Sequence, residues 1–165
     1  MTHNATGYNK RDVQKGLPID LPKNYYKDDN PNHQPLVRWR SEAGELIPPY
    51  KFIRLFEKNG WINKLDEYMF TQVCKQQKKW LDQKKNICMV SVNLSRLSIF
   101  YADIAERYGS IINNIGLDTK YIGLEITEGM IANKDEIIEP LKRFHVQGFK
   151  LLLDDFGSGY SSLSS

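Results

Sequence analysis

Apolar residues in this chain come in short unbroken runs separated by longer amphipathic stretches. Ile87-Cys88-Met89-Val90-Ser91-Val92, Tyr121-Ile122-Gly123-Leu124-Glu125-Ile126 and Leu151-Leu152-Leu153 are too apolar to alternate. Strands read this way when both faces of a parallel sheet are covered. Leu36-Val37-Arg38-Trp39 predicts one more strand ahead of these, and 41–49 a loop. The stretches between them predict helices. One covers 50–58 and is closed by Asn59-Gly60. A long one is marked by Leu65, Tyr68, Met69, Val73, Trp80 and Leu81, with only Gln76 breaking the apolar stripe and Asn86 ending it. A third covers 101–114 and stops at Gly116. A fourth ends at Gly148, with Asn133 as a cap and Asp135 and Glu136 suited to the dipole of its first turn. Pro140 should kink that helix or delay its start. Strand and helix alternate throughout, so the fold class is α/β, with a parallel sheet built from βαβ units. Residues 1–34 follow no such pattern. They carry turn chemistry at 28–32 and one short candidate strand at 16–21, and form a poorly defined N-terminal segment.

Composition narrows this picture only slightly. The 165 residues, 41% hydrophobic and 26% charged, suit one globular domain. The net charge of +3 is partly local: Lys75, Lys78, Lys79, Lys84 and Lys85 are opposed only by Asp82. That run reads as the solvated face of a helix. Trp80 falls with Leu81 on the apolar stripe, and no arginine interleaves, so no nucleic-acid partner is expected. Cys74 and Cys88 form neither a CxxC pair nor a disulfide framework, which fits a reduced, cytoplasmic setting. The start of the chain is polar and does not read as a secretory signal, and no apolar run reaches bilayer length, so no direct membrane contact is expected. His145 reads as a surface residue near a helix end, while His3 and His33 carry no signal.

The candidate chemistry lies where the apolar runs stop. Asn93 follows the second strand, in Ser91-Val92-Asn93-Leu94-Ser95. Glu125 and Glu128 close the third, and Asp154 and Asp155 the fourth. In a barrel of parallel strands these ends face one mouth, where active sites are built. One amide and up to four carboxylates, with no histidine in register, form an oxygen set of the kind hard cations such as Mg²⁺ or Mn²⁺ prefer. Two such ions can activate water and steady a leaving oxygen in phosphodiester hydrolysis. Each piece alone has a plainer reading: Asn93 and Ser95 as caps of the next helix, Glu125 and Glu128 as loop acids, Asp154-Asp155 as a turn. Their recurrence at three strand ends in order favours the site.

These residues carry a family likeness. From about residue 36 to 165 the chain resembles the EAL domain, a TIM-barrel phosphodiesterase that hydrolyses cyclic di-GMP. The stretch Asp-Asp-Phe-Gly-Ser-Gly-Tyr-Ser-Ser-Leu at 154–163 carries the likeness most specifically, with Ser-Val-Asn-Leu-Ser at 91–95, Leu-Glu-Ile-Thr-Glu at 124–128 and Leu-Val-Arg-Trp at 36–39. The resemblance implies a partial TIM (β/α)8 barrel with four to five βα units of the eight, in an incomplete EAL domain over 35–165. It also implies Asn93, Glu125, Asp154 and Asp155 as ligands of Mg²⁺ or Mn²⁺, with Asp155 catalytic as well. Glu128 would support the loop after Asp155, and Arg38 would hold a substrate phosphate. Cyclic di-GMP would be the partner, and the 156–162 loop would form a homodimer interface.

Two departures bear on activity. Gln34 stands where the family has the glutamate of its naming triplet, and Pro35 where it has the alanine. Gln34 keeps an oxygen donor and loses the charge. A full barrel takes about 250 residues, so the strands bearing the family's lysine and later site residues are not expected within this chain. The resemblance therefore points to a phosphodiesterase domain that is inactive as given. The alternatives are a non-catalytic module binding cyclic di-GMP or a protein, and an inert gene fragment.

Overall fold

A computed structural model of the chain describes residues 39–40, 43–131 and 134–154. It opens with a small hairpin of β1 (Trp39–Arg40) and β2 (Leu46–Ile47). Helices α1 (Pro49–Lys58) and α2 (Ile62–Asp82) lead to β3 (Val90–Asn93). A single turn, α3 (Arg96–Ile99), and α4 (Ile104–Ile115) follow. A 3₁₀ turn at Thr119–Tyr121 enters β4 (Ile122–Thr127), and α5 (Glu128–Ile131) and α6 (Lys134–Val146) lead to β5 (Lys150–Asp154).

Strands β3, β4 and β5 form one sheet in that order, and both pairings are parallel. The register aligns Val92 with Leu124 and Leu124 with Leu151, and in the next row Asn93 with Glu125 and Glu125 with Leu152. Side chains alternate across a strand, so each row belongs to one face. Val90, Val92, Ile122, Leu124 and Ile126 are buried in the main core with residues of α2, α4 and α6, and Leu151 packs against it. The row through Asn93, Glu125 and Leu152 therefore lies on the face turned away from the helices.

Aromatic rings fill the space between sheet and helices. Phe70 of α2 stacks on Tyr108 of α4 with centroids 4.1 Å apart, and Phe144 and Phe149 meet Tyr108 edge-on. A second cluster gathers Trp39, Ile47, Phe52, Phe56, Ile62, Leu65 and Met69 around the hairpin and α1. Helix α2 serves both clusters, its first half one and its second half the other.

Several expectations shift. Residues 41–49 are not all loop: Leu46–Ile47 pairs antiparallel with Trp39–Arg40, with Ile47 opposite Trp39. Gly44, at φ +85°, makes the turn, and burial of Trp39 and Ile47 in the second cluster holds the pair. On α2 the buried positions are Ile62, Leu65, Asp66, Met69, Phe70, Val73, Cys74 and Gln77, so Gln77, not Gln76, is the polar residue inside. That helix stops at Asp82, before Asn86. Residues 87–89, expected in the strand, precede the ladder, which begins at Val90. Pro140 sits inside α6, past its first turn, where a missing N–H removes an intrahelical bond but does not delay the start. Of the strand expected at 36–39, residues 36–38 lie outside the described residues, as does the cap at Asn133.

Candidate functional site: the mouth at the ends of β3, β4 and β5

The carboxyl ends of three parallel strands open on one side of the sheet, and the register fixes what stands there. Asn93, the last residue of β3, pairs with Glu125 of β4, and Thr127 pairs with Asp154, the last residue of β5. Asn93, Glu125, Thr127 and position 154 thus share the face away from the helices, on neighbouring strands. Asn93 is exposed, and Glu125 is half-buried, with its Oε2 shielded from water. The ladder continues one residue beyond β3, where the Leu94 N–H donates to the Glu125 carbonyl at 2.8 Å. Glu128 begins α5 directly after β4.

Just beyond Asn93, the chain turns into α3 and is held from below. Ser95 caps α3, its Oγ accepting from the Ser98 N–H at 3.1 Å. Asp66 of α2, buried, accepts from the Ser95 N–H at 2.9 Å and from the Ser98 hydroxyl at 2.6 Å, both on Oδ2. Burial pushes the Asp66 carboxyl above its ordinary value, and the serine hydrogen bonds pull the other way without cancelling it. At the opposite end of the sheet, buried Gln77 donates from Nε2 to the carbonyl of Cys88 at 2.8 Å and to that of Tyr121 at 3.3 Å. One helix thus grips the sheet at both ends. Asp66 was not picked out by residue type. Its signal was position: a carboxylate on the apolar stripe, with Phe70, Val73 and Gln77 following at i+4, i+7 and i+11.

The donors at the mouth, an amide and carboxylates, fit a hard cation in kind. Among the described residues, no three acidic, histidine or cysteine side chains form a metal-holding group. Asp155, Arg38, Gln34 and the 156–162 loop lie outside those residues, and so do the Asp154 and Glu128 side chains. The basic cluster is far from the mouth, at the Gln77 end of α2. Lys75, Lys79, Lys84 and Lys85 are exposed, and Lys78 pairs with Asp82. Among the described residues no helix is long and apolar enough to cross a membrane.

A parallel sheet backed by helices on one face, with amide and carboxylate residues at its carboxyl mouth, defines an α/β protein. The chain belongs to the EAL domain family, whose model matches residues 26–165. It is 33% identical over 144 residues to the cyclic di-GMP phosphodiesterase PdeR of Escherichia coli (strain K12), a match covering 87% of this chain and 22% of that protein. The solved PaMucR phosphodiesterase, in complex with c-di-GMP, superposes with a TM-score of 0.70 at 31% identity, over 78% of this chain and 53% of that one. The FimX EAL domain from Pseudomonas aeruginosa, bound to c-di-GMP, gives a TM-score of 0.68 at 16% identity and supports the fold alone. This chain therefore spans under a quarter of the curated relative and about half of the first solved one. These neighbours make the fold TIM-barrel-like, and the described α/β architecture is consistent with part of such a barrel.

Proposed function

We propose that this chain carries part of the site of a metal-dependent, cyclic di-GMP-specific phosphodiesterase of the EAL type, built on four to five βα units. The single observation that supports it is the register: Asn93 beside Glu125, and Thr127 beside Asp154, on one face at one mouth. In this reading Asn93, Glu125, Asp154 and Asp155 hold Mg²⁺ or Mn²⁺, Arg38 binds a phosphate of cyclic di-GMP with its bidentate fork, and Glu128 steadies the loop after Asp155. The ions, when bound, supply an activated water and neutralise charge on the leaving oxygen. The chain's own contribution is to set the donors in one plane of the sheet and keep Glu125 partly dry. The 156–162 loop would form the homodimer contact. The setting would be the cytoplasm, where such a messenger acts.

Gln34 at the position of the motif glutamate argues that turnover by this chain is slow or absent, because removing one preorganised charge commonly costs ~10²–10³-fold. Hydrolysis assays with Mg²⁺ or Mn²⁺ test both parts. The expected result is negligible turnover by the chain as it stands and, in a longer protein that carries the remaining strands of the barrel, a gain on Gln34→Glu. Brisk turnover abolished by Asp154→Asn would overturn the inactivity. Mn²⁺ uptake indifferent to Asp154→Asn and Glu125→Gln together would overturn the site. A non-catalytic module that binds cyclic di-GMP is the second reading, favoured by Gln34. Calorimetry showing nucleotide binding without turnover, before and after Gln34→Glu, would select it.

A further inference from the structure

We infer that Asp66 is a positioning residue for the mouth: through Ser95 and Ser98 it fixes the turn that follows Asn93, and so sets where Asn93 stands beside Glu125. The inference rests on the phosphodiesterase reading for what Asn93 does there.

Asp66 bonds to the turn after β3, at Ser95 and Ser98. It sits on the buried stripe of α2, where a carboxylate is costly unless its oxygens are satisfied. Oδ2 takes two donors, the Ser95 N–H and the Ser98 hydroxyl. Hydrogen bonds to a carboxylate are about twice as strong as neutral ones. Ser95 is two residues from Asn93, and between them Leu94 is buried and bonded by its N–H to the Glu125 carbonyl. Three consecutive residues are therefore tied down. Asn93 is held by the ladder, Leu94 by β4 and by burial, and Ser95 by a carboxylate from the helix behind. An apolar side chain at position 66 would fill the space but leave the Ser95 N–H and the Ser98 hydroxyl without their acceptor, and the turn would be free to shift. The neighbouring pair Glu67–Arg107 joins α2 to α4, so the platform that carries Asp66 is itself braced.

Two measurements on the whole chain decide the matter. Mn²⁺ affinity is followed by the electron paramagnetic resonance of free Mn²⁺, and amide hydrogen exchange is read at Leu94, whose N–H bonds to the Glu125 carbonyl and not to Asp66. The expected result for Asp66→Ala is a ~10–100-fold loss of Mn²⁺ affinity, the range for residues that orient metal ligands. It should also lose Leu94 protection while the amides between β4 and β5 keep theirs. Asp66→Asn, which retains a neutral acceptor, should lose less, and Ser98→Ala should move both readouts in the same direction. Those two milder variants carry the test if Asp66→Ala does not fold. Ile112→Ala, a truncation in the core of α4, is the control for lost stability and should leave Mn²⁺ affinity unchanged. Affinity and Leu94 protection in the Asp66 and Ser98 variants that match this control would overturn the inference. A wild-type chain that takes up no Mn²⁺ overturns the phosphodiesterase reading instead. The exchange at Leu94 then still decides whether Asp66 orders the turn.

Discussion

At the residue scale, three buried groups carry consequences that can be measured. Asp66 has a folded pKa raised by burial above the ordinary value of 3.8. The folded chain therefore holds that proton more tightly than the unfolded one, and the group's contribution to stability is fully present below about pH 3.8 and lost as pH rises through the folded value. Urea unfolding of wild type and Asp66→Asn across the acid range should show the difference in free energy moving against the wild type as pH rises. A difference that stays flat would mean Asp66 is solvated. Cys74 is buried, its thiol pushed up to about 12 by loss of solvent, whereas Cys88 is exposed. A disulfide reagent at mildly alkaline pH should modify one of the two thiols in the native chain and both in denaturant. Tyr108 is fully buried, and its hydroxyl has no hydrogen-bond partner among the described residues. Leaving such a group unsatisfied costs ~1–3 kcal/mol, so Tyr108→Phe should be neutral or stabilising in thermal melts, with the stacking on Phe70 kept.

At the element scale, helix ends show how local rules act. Four helices close on the same reverse turn, in which the residue in the left-handed region and its successor donate back into the last turn. At α4 these are Gly116 and Leu117, donating to the carbonyls of Asn113 and Ile112. At α2 the same place is taken by Lys84, at φ +57°, the one non-glycine with positive φ among the described residues. Lys84 and Lys85 donate to Leu81 and Trp80. The left-handed conformation costs a side-chain-bearing residue roughly 1–2 kcal/mol, of which glycine would give back part as chain entropy. Lys84→Gly should therefore stabilise the chain by about 0.5–1 kcal/mol in chemical denaturation. Asn86 is the terminator the sequence offers, but the helix ends at Asp82 and the reverse turn forms at Lys84, two residues before it. The helices with glycine after them were legible, since Gly116 and Gly148 mark the break directly.

At the scale of the whole molecule, the division of the core is the main consequence. The hairpin and α1 pack in one cluster and the parallel sheet in another, with α2 shared between them. Phe56 is fully buried against Trp39 and Phe52. Phe56→Ala should cost ~3–5 kcal/mol and should open the hairpin and α1 while β3, β4 and β5 stay protected, as in sub-global unfolding. Native-state hydrogen exchange resolves the two regions. Uniform loss of protection would show that α2 couples them into one cooperative unit. Strand β5, one of the two outer strands of the described sheet, carries Leu153 at 37% exposure.

The sequence by itself determined the α/β class, the order of strands and helices from β3 to β5 and the candidate donors, because apolar runs and periodicity are local and the donors sit where those runs end. Asn93, Glu125 and Asp154 could be named, but not that Asn93 is level with Glu125 and Asp154 with Thr127. Register depends on how three strands slide against one another, and no single strand records it. The hairpin was hidden because two-residue strands have no period to read, and Trp39 with Ile47 pair only once α1 covers them. Asp66 and Gln77 were hidden for a related reason. A polar residue on an apolar stripe is an error until its partner is known, and their partners at Ser95, Ser98, Cys88 and Tyr121 lie on other elements. Only the packing of α2 across the sheet turns two misplaced side chains into the grips at its two ends.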